Sequence, residues 1–545
     1  MLQASLRPAL RWATAFLSVA ALLGCSTPMP PATPTAPVPV PAAPPPVLAA
    51  PVVVPPVPLS DAVAARFPDP AVNYRTPALQ AGRNDFTSNA ELQALLRGLV
   101  RDAPSVARLL TLGSSQGGLP IEALLFSRHA DVTPAALQRS GRPLVLVMGQ
   151  QHGDEPASSE ALIVLAQELT RGRLQSLLDR INVVVLPRAN PDGAQTGQRA
   201  SANGVDIDRD HLWLKTPEAQ ALAKLVRDYQ PLVVAEAREY TLNGAYAQKF
   251  GAVQRDDAQV QYATTGNLPP FFTKAAEEWF RQPLFASFKL HGLSSQWVHR
   301  TSNDVADKRL SMGGTLPDSG RNVQGLKNVV SLVIETRGAG LGRTHLKRRV
   351  HTQVVAMTSV LQNAAQRGGD LLKLRQYVDA DVSAQACQGQ VVVEAGPTAS
   401  EYTLAMLDPA TGADKTLTVN WDSALVLREL KVRKRPCGYW LDADQADAVA
   451  RLRLLGVRVE QAMAKGVVQG ESYAGAQQEI KTAPVLLDVP EGSYYVPLTQ
   501  PLASLVVAAL EPDTSASYFG GGVITGLAKQ ARVTALPGIK LSVMP

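Results

Sequence analysis

Residues 144–169 read LVLVMGQQHGDEPASSEALIVLAQEL, which is an apolar run, a polar turn and a helical pattern in succession. The run from Leu144 to Met148 predicts a buried strand, and the spacing of apolar residues from Ala157 to Leu169 predicts an amphipathic helix. A strand that leads through a short turn into a helix is typical of an α/β sheet. Ligands of such sheets bind at the carboxyl ends of the strands. The sequence therefore predicts an α/β fold with residues 151–155 at a ligand-binding edge.

The same alternation continues along the chain and then changes. Further buried strands are predicted at Asn182 to Leu186, Leu232 to Ala235 and Val329 to Ile334, and a helix at Glu218 to Tyr229. After about Asp370 the segments become shorter and alternate in polarity, as at Gln390 to Glu394, Thr416 to Trp421 and Ala424 to Val432, with one helix near Asp442 to Leu455. We expect an α/β domain over residues 59–370 and a small β-rich domain over residues 371–545.

The first 58 residues are predicted to direct export and not to form part of a folded domain. Arg7 and Arg11 precede an apolar run that ends at Leu23, and residues 22–25 read LLGC, which resembles the cleavage site of bacterial lipoproteins. We predict a signal peptide over residues 1–24 and a lipidated Cys25, although an ordinary cleaved signal with an incidental cysteine is the alternative. The segment up to residue 58 is rich in proline and predicts an extended tether. The expected location is the cell envelope, on the periplasmic face of the outer membrane.

Composition bears on the classes of binding partner, and the cysteine count bears on disulfide formation. The chain is 46% hydrophobic and 18% charged, as a packed globular protein is, and its net charge of +6 is small for 545 residues. No run of lysine and arginine is dense enough to predict nucleic-acid binding. Besides Cys25, the sequence has Cys387 and Cys437, which form either a disulfide in an oxidising compartment or two free thiols.

His152 and Glu155 lie in the polar turn that follows the first predicted strand. A neutral imidazole and a carboxylate three residues apart on such a turn both reach one cation, and zinc accepts this pair of nitrogen and oxygen ligands. Alone, His-x-x-Glu is a weak pattern. Its position after a buried strand strengthens the prediction of a metal site.

Three further motifs follow in order. Residues 190–193 read NPDG, residues 204–209 read GVDIDR, and residues 331–338 read SLVIETRG. Together with His-x-x-Glu, this series resembles the zinc carboxypeptidase family of the carboxypeptidase A type over roughly residues 140–360. The resemblance implies a mixed central sheet flanked by helices and a zinc-dependent peptidase activity.

The resemblance also implies roles for single residues. His152 and Glu155 match two zinc ligands, and Glu335 matches the general acid/base that activates the zinc-bound water. Arg209 matches the arginine that binds the C-terminal carboxylate of a peptide, a task that suits a planar guanidinium. Arg199 matches the arginine that stabilises the oxyanion. For both arginines, a surface ion pair is the simpler alternative.

The third zinc ligand departs from the family pattern. The family has a histidine in a context like Asp-x-His-Glu-Tyr, whereas residues 236–240 read EAREY and place Arg238 at that position. Arginine keeps its proton and offers no lone pair. Its charge at ~4 Å from a divalent cation would cost about 8 kcal/mol at an effective dielectric constant of ~20. A zinc ion in the usual geometry is therefore in doubt if Arg238 points inward.

A second departure leaves two alternatives. Asp208 stands where the family has asparagine, so an Asp208–Arg238 ion pair across the former metal site would describe an inactive relative. Alternatively, Arg238 swings away and Asp208 supplies the third ligand, or Glu236 does so from the same strand face. His211 and His299 are further substitutes, at positions that the family does not use.

Two residues bear on the substrate. Arg321 lies in a glycine-rich loop ahead of the last strand, where the family places substrate-contacting residues, and is predicted either to bind a carboxylate or to form a salt bridge within the loop. Asp208, if it faces the specificity pocket, would favour basic terminal residues.

The sequence as a whole predicts an envelope metallocarboxypeptidase-like hydrolase that acts on peptide or peptidoglycan-derived amide bonds, with Glu335 as general base and then general acid. The alternative is a catalytically inactive relative that keeps Arg209 and the cleft to bind peptide or peptidoglycan C-termini. A purely structural lipoprotein would leave His152, Glu155 and Glu335 unexplained.

Overall fold

The computed structural model describes residues 59–242, 244–476 and 479–544, which belong to one compact unit. The predicted signal peptide, Cys25 and the tether lie outside these residues. Within them, every helix is too short or too polar to cross a lipid bilayer.

The helices are distributed along the whole described chain. They are α1 (Asp61–Ala64), α2 (Asn89–Asp102), α3 (Pro134–Arg139), α4 (Pro156–Arg171), α5 (Pro191–Thr196), α6 (Pro217–Tyr229), α7 (Gly244–Phe250), α8 (Pro270–Ala275), α9 (Gln282–Leu290), α10 (Gly320–Gly325), α11 (Leu346–Gln366), α12 (Gly368–Ala384), α13 (Ala446–Leu454) and α14 (Ala503–Leu510).

The strands form three sheets. In chain order they are β1 (Ala107–Ser114), β2 (Pro120–Phe126), β3 (Leu144–Gly149), β4 (Asn182–Leu186), β5 (Val233–Thr241), β6 (Val253–Gln254), β7 (Ala258–Tyr262), β8 (Ser295–Trp297), β9 (Arg300–Thr301), β10 (Leu310–Ser311), β11 (Val330–Ala339), β12 (Gln390–Leu407), β13 (Asp414–Lys434), β14 (Gly438–Leu441), β15 (Glu460–Ala462), β16 (Gly466–Ala474), β17 (Lys481–Val489), β18 (Tyr494–Pro497), β19 (Gln530–Val533) and β20 (Leu541–Val543).

The central sheet is mixed. Its order is β1-β2-β4-β3-β5-β11-β7-β8, and the four strands β4, β3, β5 and β11 run parallel. β2 and β7 are antiparallel to their neighbours in this parallel core. The carboxyl ends of β3, β5 and β11 therefore meet at one edge of the sheet, as expected for a ligand site in an α/β fold. The predicted fold class is confirmed.

Helices cover both faces of this sheet. Val145 and Val147 of β3 belong to the same apolar cluster as Leu162 of α4, whereas Leu146 belongs to a second cluster with Leu222 of α6. Because side chains of a strand alternate between faces, this division shows that both faces of β3 are buried. Burial on both faces explains why the strand has a continuous apolar sequence.

The turn between β3 and α4 is held by the loop that begins at Asn190. A Cβ on Gly153 would lie 1.9 Å from the carbonyl carbon of Gly193, so the two backbones approach too closely for a side chain. The side-chain amide of Asn190 donates to the carbonyl oxygens of Gln151 and Ala200, each at 3.1 Å. The NPDG motif thus fixes the turn that carries His152 and Glu155.

The region after α12 is β-rich, as predicted. A five-stranded sheet of order β6-β12-β13-β10-β9 is built on the long β12–β13 hairpin. The segments 416–421 and 424–432, which were predicted separately, form the single strand β13. Asp422 and Ser423 lie between them, and their backbones pair with Ala399 and Thr398 of β12, so the ladder continues.

A seven-stranded sheet of order β17-β16-β19-β14-β18-β15-β20 completes this region. Tyr439 of β14 and Leu505 of α14 belong to the same apolar cluster as Val145 of the central sheet. The boundary predicted between residues 370 and 371 falls within α12. The division into two domains there stays a prediction.

Cys387 and Cys437 are joined by a disulfide bond. Cys387 follows α12, and Cys437 immediately precedes β14. The bond therefore ties together the two ends of the segment that contains β12 and β13.

Candidate functional site

His152 and Glu155 lie together, fully buried, at the carboxyl end of β3. The Nδ1 atom of His152 is 2.7 Å from Oε1 of Glu155, and its Nε2 atom donates to Oδ1 of Asp206 at 2.9 Å. Oε2 of Glu155 accepts a hydrogen bond from the backbone N–H of Glu239. These contacts orient both side chains toward the same point at the edge of the sheet.

The charges around His152 set its protonation. Burial alone would lower the pKa of His152, but the neighbouring carboxylates of Glu155 and Asp206 raise it overall. Burial alone would raise the pKa of Asp206, but the hydrogen bond from His152 holds it below its usual range. The two carboxylates thus favour the protonated imidazole, whereas the nearby charge of Arg238 opposes it.

Arg238 points into this site from β5. Its Nη1 donates to Oδ2 of Asp208 at 2.9 Å, its Nη2 is 3.1 Å from Nδ1 of His152, and its Nε is 4.0 Å from Oε2 of Glu155. The Arg238 side chain is 10% exposed. The guanidinium therefore fills the space between the two predicted zinc ligands and Asp208.

A zinc ion does not fit the predicted ligand pair while Arg238 is in this position. Zinc would lie about 2 Å from the nitrogen of His152 and from an oxygen of Glu155. Arg238 already contacts that nitrogen, and at ~4 Å its charge would oppose the ion by about 8 kcal/mol at an effective dielectric constant of ~20. The ion pair between Asp208 and Arg238, one of the two alternatives left open by the sequence, is the arrangement observed.

Asp208 is 2% exposed and does not face an open pocket. Its Oδ1 accepts from the backbone N–H of Gly320 at 3.2 Å, and its Oδ2 accepts from Arg238. Burial alone would raise the pKa of Asp208, but the positive charges of Arg238 and Arg209 hold it well below its usual range. The selection of basic terminal residues by its charge is expected only if Asp208 faces the specificity pocket, and it stays a prediction; in this structure the charge of Asp208 is paired with Arg238.

Glu335, the predicted general acid/base, is buried and already paired. Its residue lies directly opposite Arg238 in the parallel pairing of β11 with β5, and its Oε2 accepts a hydrogen bond from Nη2 of Arg300. Burial alone would raise the pKa of Glu335, but Arg300 and Arg238 lower it overall. A carboxylate held in this way is a weaker proton acceptor than a free one.

Three half-exposed arginines surround the buried centre. Arg199, Arg209 and Arg300 have side chains that are 47–48% exposed. Arg199 pairs with Asp206 at 3.2 Å, and Arg209 pairs with Asp318 at 3.0 Å. The structure thus brings both arginines to the cleft, where Arg199 also lies 3.6 Å from Glu155 and Arg209 also lies 4.0 Å from Asp208.

Sequence reasoning missed two members of the site. Asp206 was part of the GVDIDR motif but had no assigned role, and its hydrogen bond to His152 follows from the motif only once the turn is folded. No sequence pattern indicated a role for Arg300. It belongs to the two-residue strand β9, which is part of a different sheet.

Arg321 lies deeper than its predicted role requires. It is 7% exposed, its Nη2 donates to the carbonyl oxygen of Gly314 at 2.8 Å, and its Nε donates to the side chain of Asn322. Residues 320–325 form helix α10 rather than the predicted loop. Burial lowers the pKa of Arg321 to about 10. Its contacts lie within its own segment, and carboxylate binding by Arg321 stays a prediction.

Asp208, His211 and Glu236 form a second group of possible metal ligands, with one ligand atom from each within 4.8 Å of the others. Burial lowers the pKa of His211 to about 4, so its imidazole is neutral near pH 7. Burial and then the charge of Asp208 raise the pKa of Glu236 to about 8. Oε1 of Glu236 is buried and has no hydrogen-bond partner within the described residues. These atoms are a candidate cation site next to the space filled by Arg238.

The amino-acid sequence has relatives of known type. A family model described as zinc carboxypeptidase matches residues 92–360. Carboxypeptidase 2 of Trichophyton rubrum is 26% identical over 405 residues, which cover 70% of this chain and 74% of that protein. Carboxypeptidase 2 of Trichophyton tonsurans is 24% identical over 410 residues, with the same two shares.

Solved structures of carboxypeptidases are also similar to this chain. Carboxypeptidase A of Helicoverpa armigera overlaps with a TM-score of 0.40 and 14% identity, over 56% of this chain and 79% of that one. The family model runs from α2 into α11 and so contains every side chain of the candidate site.

The Arg238–Asp208 pair is expected to be strongly coupled. Arg238→Met leaves buried carboxylates without a partner and should lower the free energy of unfolding by about 3–5 kcal/mol. The double variant Arg238→Met/Asp208→Asn should recover part of this loss, with a coupling energy of about 1–3 kcal/mol in urea unfolding. The exposed pair Arg128–Asp179 is the matched control and should couple by less than about 1 kcal/mol. Additive effects at Arg238 and Asp208 would contradict this prediction.

Glu236 is expected to make the protein less stable as pH rises. Its folded pKa of about 8 lies above the ordinary value of 4.5, so the folded state binds more protons between these values. Its contribution is fully present below about pH 4.5 and is lost as pH rises through about 8. Glu236→Gln should therefore gain in melting temperature relative to the wild type across this range. Glu401→Gln, at an exposed position of β12, is the control, and a pH-independent difference for Glu236→Gln would refute the assignment.

Proposed function

The chain belongs to the zinc carboxypeptidase family, and on that premise we propose that it binds the carboxy end of a peptide without cleaving it by zinc catalysis. Its family and its fold are those of metallocarboxypeptidase-like hydrolases.

One observation carries the proposal: the guanidinium of Arg238 contacts Asp208 and His152, where the third ligand and the zinc ion would lie. Its charge never titrates in the physiological range, so the group cannot become a ligand. The side chain is also held from two sides, because the backbone of Arg238 is paired with β11 while its head is paired with Asp208. Swinging it away would leave buried Asp208 without its nearest countercharge, and Arg209, at 4.0 Å, would be the remaining one.

The remaining residues suit binding. Arg209 is half exposed, and Asp318 holds one of its terminal nitrogens. A planar guanidinium fixed in this way offers a fork that matches a carboxylate in geometry and charge. Arg199 and Arg300 add positive charge at the same edge, although each is partly neutralised by Asp206 and Glu335. A peptide carboxylate would enter between these arginines.

The proton-transfer residue of a hydrolase would be poorly placed here. Oε2 of Glu335 accepts a hydrogen bond from Arg300, and the charges of Arg300 and Arg238 reduce the basicity of the carboxylate. Hydrolysis requires a carboxylate that accepts a proton from water and returns it to the leaving amine. The paired state of Glu335 supports binding over turnover.

A second function is favoured by Asp208, His211 and Glu236. An oxygen, a neutral imidazole nitrogen and a second oxygen within 4.8 Å of one another are a ligand set that zinc accepts. A cation there would lie beside the cleft and would allow a hydrolase with a displaced metal. Zinc bound at these three residues would allow the zinc-dependent hydrolysis that the sequence predicts.

The cellular setting stays a proposal from the sequence alone. A lipid on Cys25 and the proline-rich tether would hold the protein at the membrane of the cell envelope. The peptides available there include the stems of peptidoglycan, which end in free carboxylates. We propose such C-termini, rather than nucleic acid, as the ligand class.

Metal content separates the two functions. The wild-type chain, purified and incubated with zinc, should contain far less than one zinc per chain by mass spectrometry, because Arg238 fills the site. Asp208→Asn/Arg238→His should bind about one zinc, because it restores a neutral ligand and removes the buried charge pair. About one zinc in the wild type, lost in His211→Ala and Glu236→Gln, would instead establish the displaced metal. Loss in His152→Ala alone would mean that Arg238 leaves the site in solution.

Peptide binding tests the cleft. Short N-acetylated peptides with a free C-terminus should bind in calorimetry, and their C-terminal amides should bind at least about tenfold more weakly, because the amide lacks the charge that pairs with arginine. Arg209→Gln should lose this preference. Arg128→Gln, an exposed arginine outside the cleft, should keep it. Equal binding of acid and amide by the wild type would rule out recognition of the C-terminus.

A further inference from the structure

We propose that the cavity beside Lys327 is a binding site for a small oxyanion of the phosphate class. The cavity has a volume of about 250 Å³ and lies where residues 226–231, at the end of α6 and just after it, meet the segments 455–458 and 500–502. One water molecule occupies about 30 Å³ in the liquid, so the space holds an ion of this size with part of its hydration shell.

The charges that line the cavity have one sign. Arg227, Lys327, Arg375 and Arg458 line it, and its lining includes neither aspartate nor glutamate in the part of the chain that the structure describes. The three arginines also pair with acids that lie outside the lining, namely Asp228, Asp379 and Glu460. Lys327 is therefore the lining charge that has no partner within the described residues, and its charge favours an anion in the cavity.

Lys327 differs from the three arginines in having no acceptor. Its Nζ is buried and makes no hydrogen bond within residues 59–242, 244–476 and 479–544, and the residue is 4% exposed. A buried ammonium without a partner is strongly destabilised, so it either loses its proton or takes an anion. Burial and the charges of Arg227 and Arg375 lower the pKa of Lys327 to about 7. An anion in the cavity would reverse that shift.

The arginines are already fixed in place. Arg375 donates to Asp379 at 2.6 Å, Arg227 donates to Asp228 at 2.8 Å, and Arg458 donates to the carbonyl oxygen of Thr499 at 3.0 Å. Their positions therefore do not depend on a ligand. The cavity is thus preorganised, with Lys327 as the cation that lacks a partner among the described lining residues.

The cavity lies away from Glu335, although the charge of Lys327 contributes to the lowered pKa of His211. Lys327 precedes β11, whereas Glu335 lies five residues beyond the start of that strand, about 17 Å along an extended backbone. An anion here would join the α/β region to the segments 455–458 and 500–502 of the C-terminal region. Binding would therefore stabilise the contact between these regions and does not depend on the proposed function of the cleft.

Phosphate titration of the full chain tests the proposal. At constant ionic strength, inorganic phosphate and sulfate should bind saturably in calorimetry and raise the melting temperature, because only the folded cavity gathers the four cations. Lys327→Met should weaken phosphate binding by at least about tenfold and abolish the thermal response. Lys373→Met, at an exposed position of the same helix as Arg375, is the matched control and should behave as the wild type.

A second variant tests the proposal independently in case Lys327→Met does not fold. Arg458→Gln changes an exposed residue at the rim and should weaken phosphate binding by a smaller factor than Lys327→Met. The proposal is overturned if phosphate binding does not saturate, if sodium chloride at equal ionic strength gives the same thermal response, or if Lys327→Met binds phosphate as tightly as the wild type.

Discussion

A fixed positive charge lies at the carboxyl edge of the central sheet, and the geometry around it follows from the need to neutralise it. Arg238 is buried among Asp208, Glu155 and Glu335, and each of these carboxylates is in turn held by a backbone N–H or by another arginine. Removing charges from water is costly, so a buried cation persists only where acids surround it. Asp208 in place of a neutral asparagine supplies the acid at the shortest distance. The two departures from the family pattern are therefore one electrostatic change.

The strands and helices of the sheet were largely predictable, and the errors have one cause. β4 matches its predicted bounds, because its five residues are all buried and the pattern ends where the strand ends. β5 and β11 continue to Thr241 and Ala339, five or six residues beyond their predicted ends. Their last residues include Glu236, Arg238 and Glu335, which are polar because they belong to the site. Apolar patterning fails where a strand leaves the core and begins to carry function.

The spacing of the motifs predicted which residues form the site, but not how their charges pair. His152 and Glu155 come together because three residues on one turn separate them, which a sequence reveals directly. The sequence left open whether Arg238 points inward or swings away, because its direction depends on the buried carboxylates of Asp208, Glu155 and Glu335, which only the folded chain brings together. Arg300 comes from a two-residue strand in another sheet. Contacts of this kind depend on tertiary packing and leave no local trace in one sequence.

The disulfide has a consequence for how this protein withstands proteases. The tip of the β12–β13 hairpin, around Thr411, is exposed and is an accessible place for a protease to cut. Cys387 precedes this hairpin and Cys437 follows it, so the two fragments of a chain cut there remain covalently joined. The sixteen-rung ladder between the hairpin strands would still hold them in register. A nicked molecule would separate into two pieces only after reduction, so damage at this surface would leave the rest of the fold in one body.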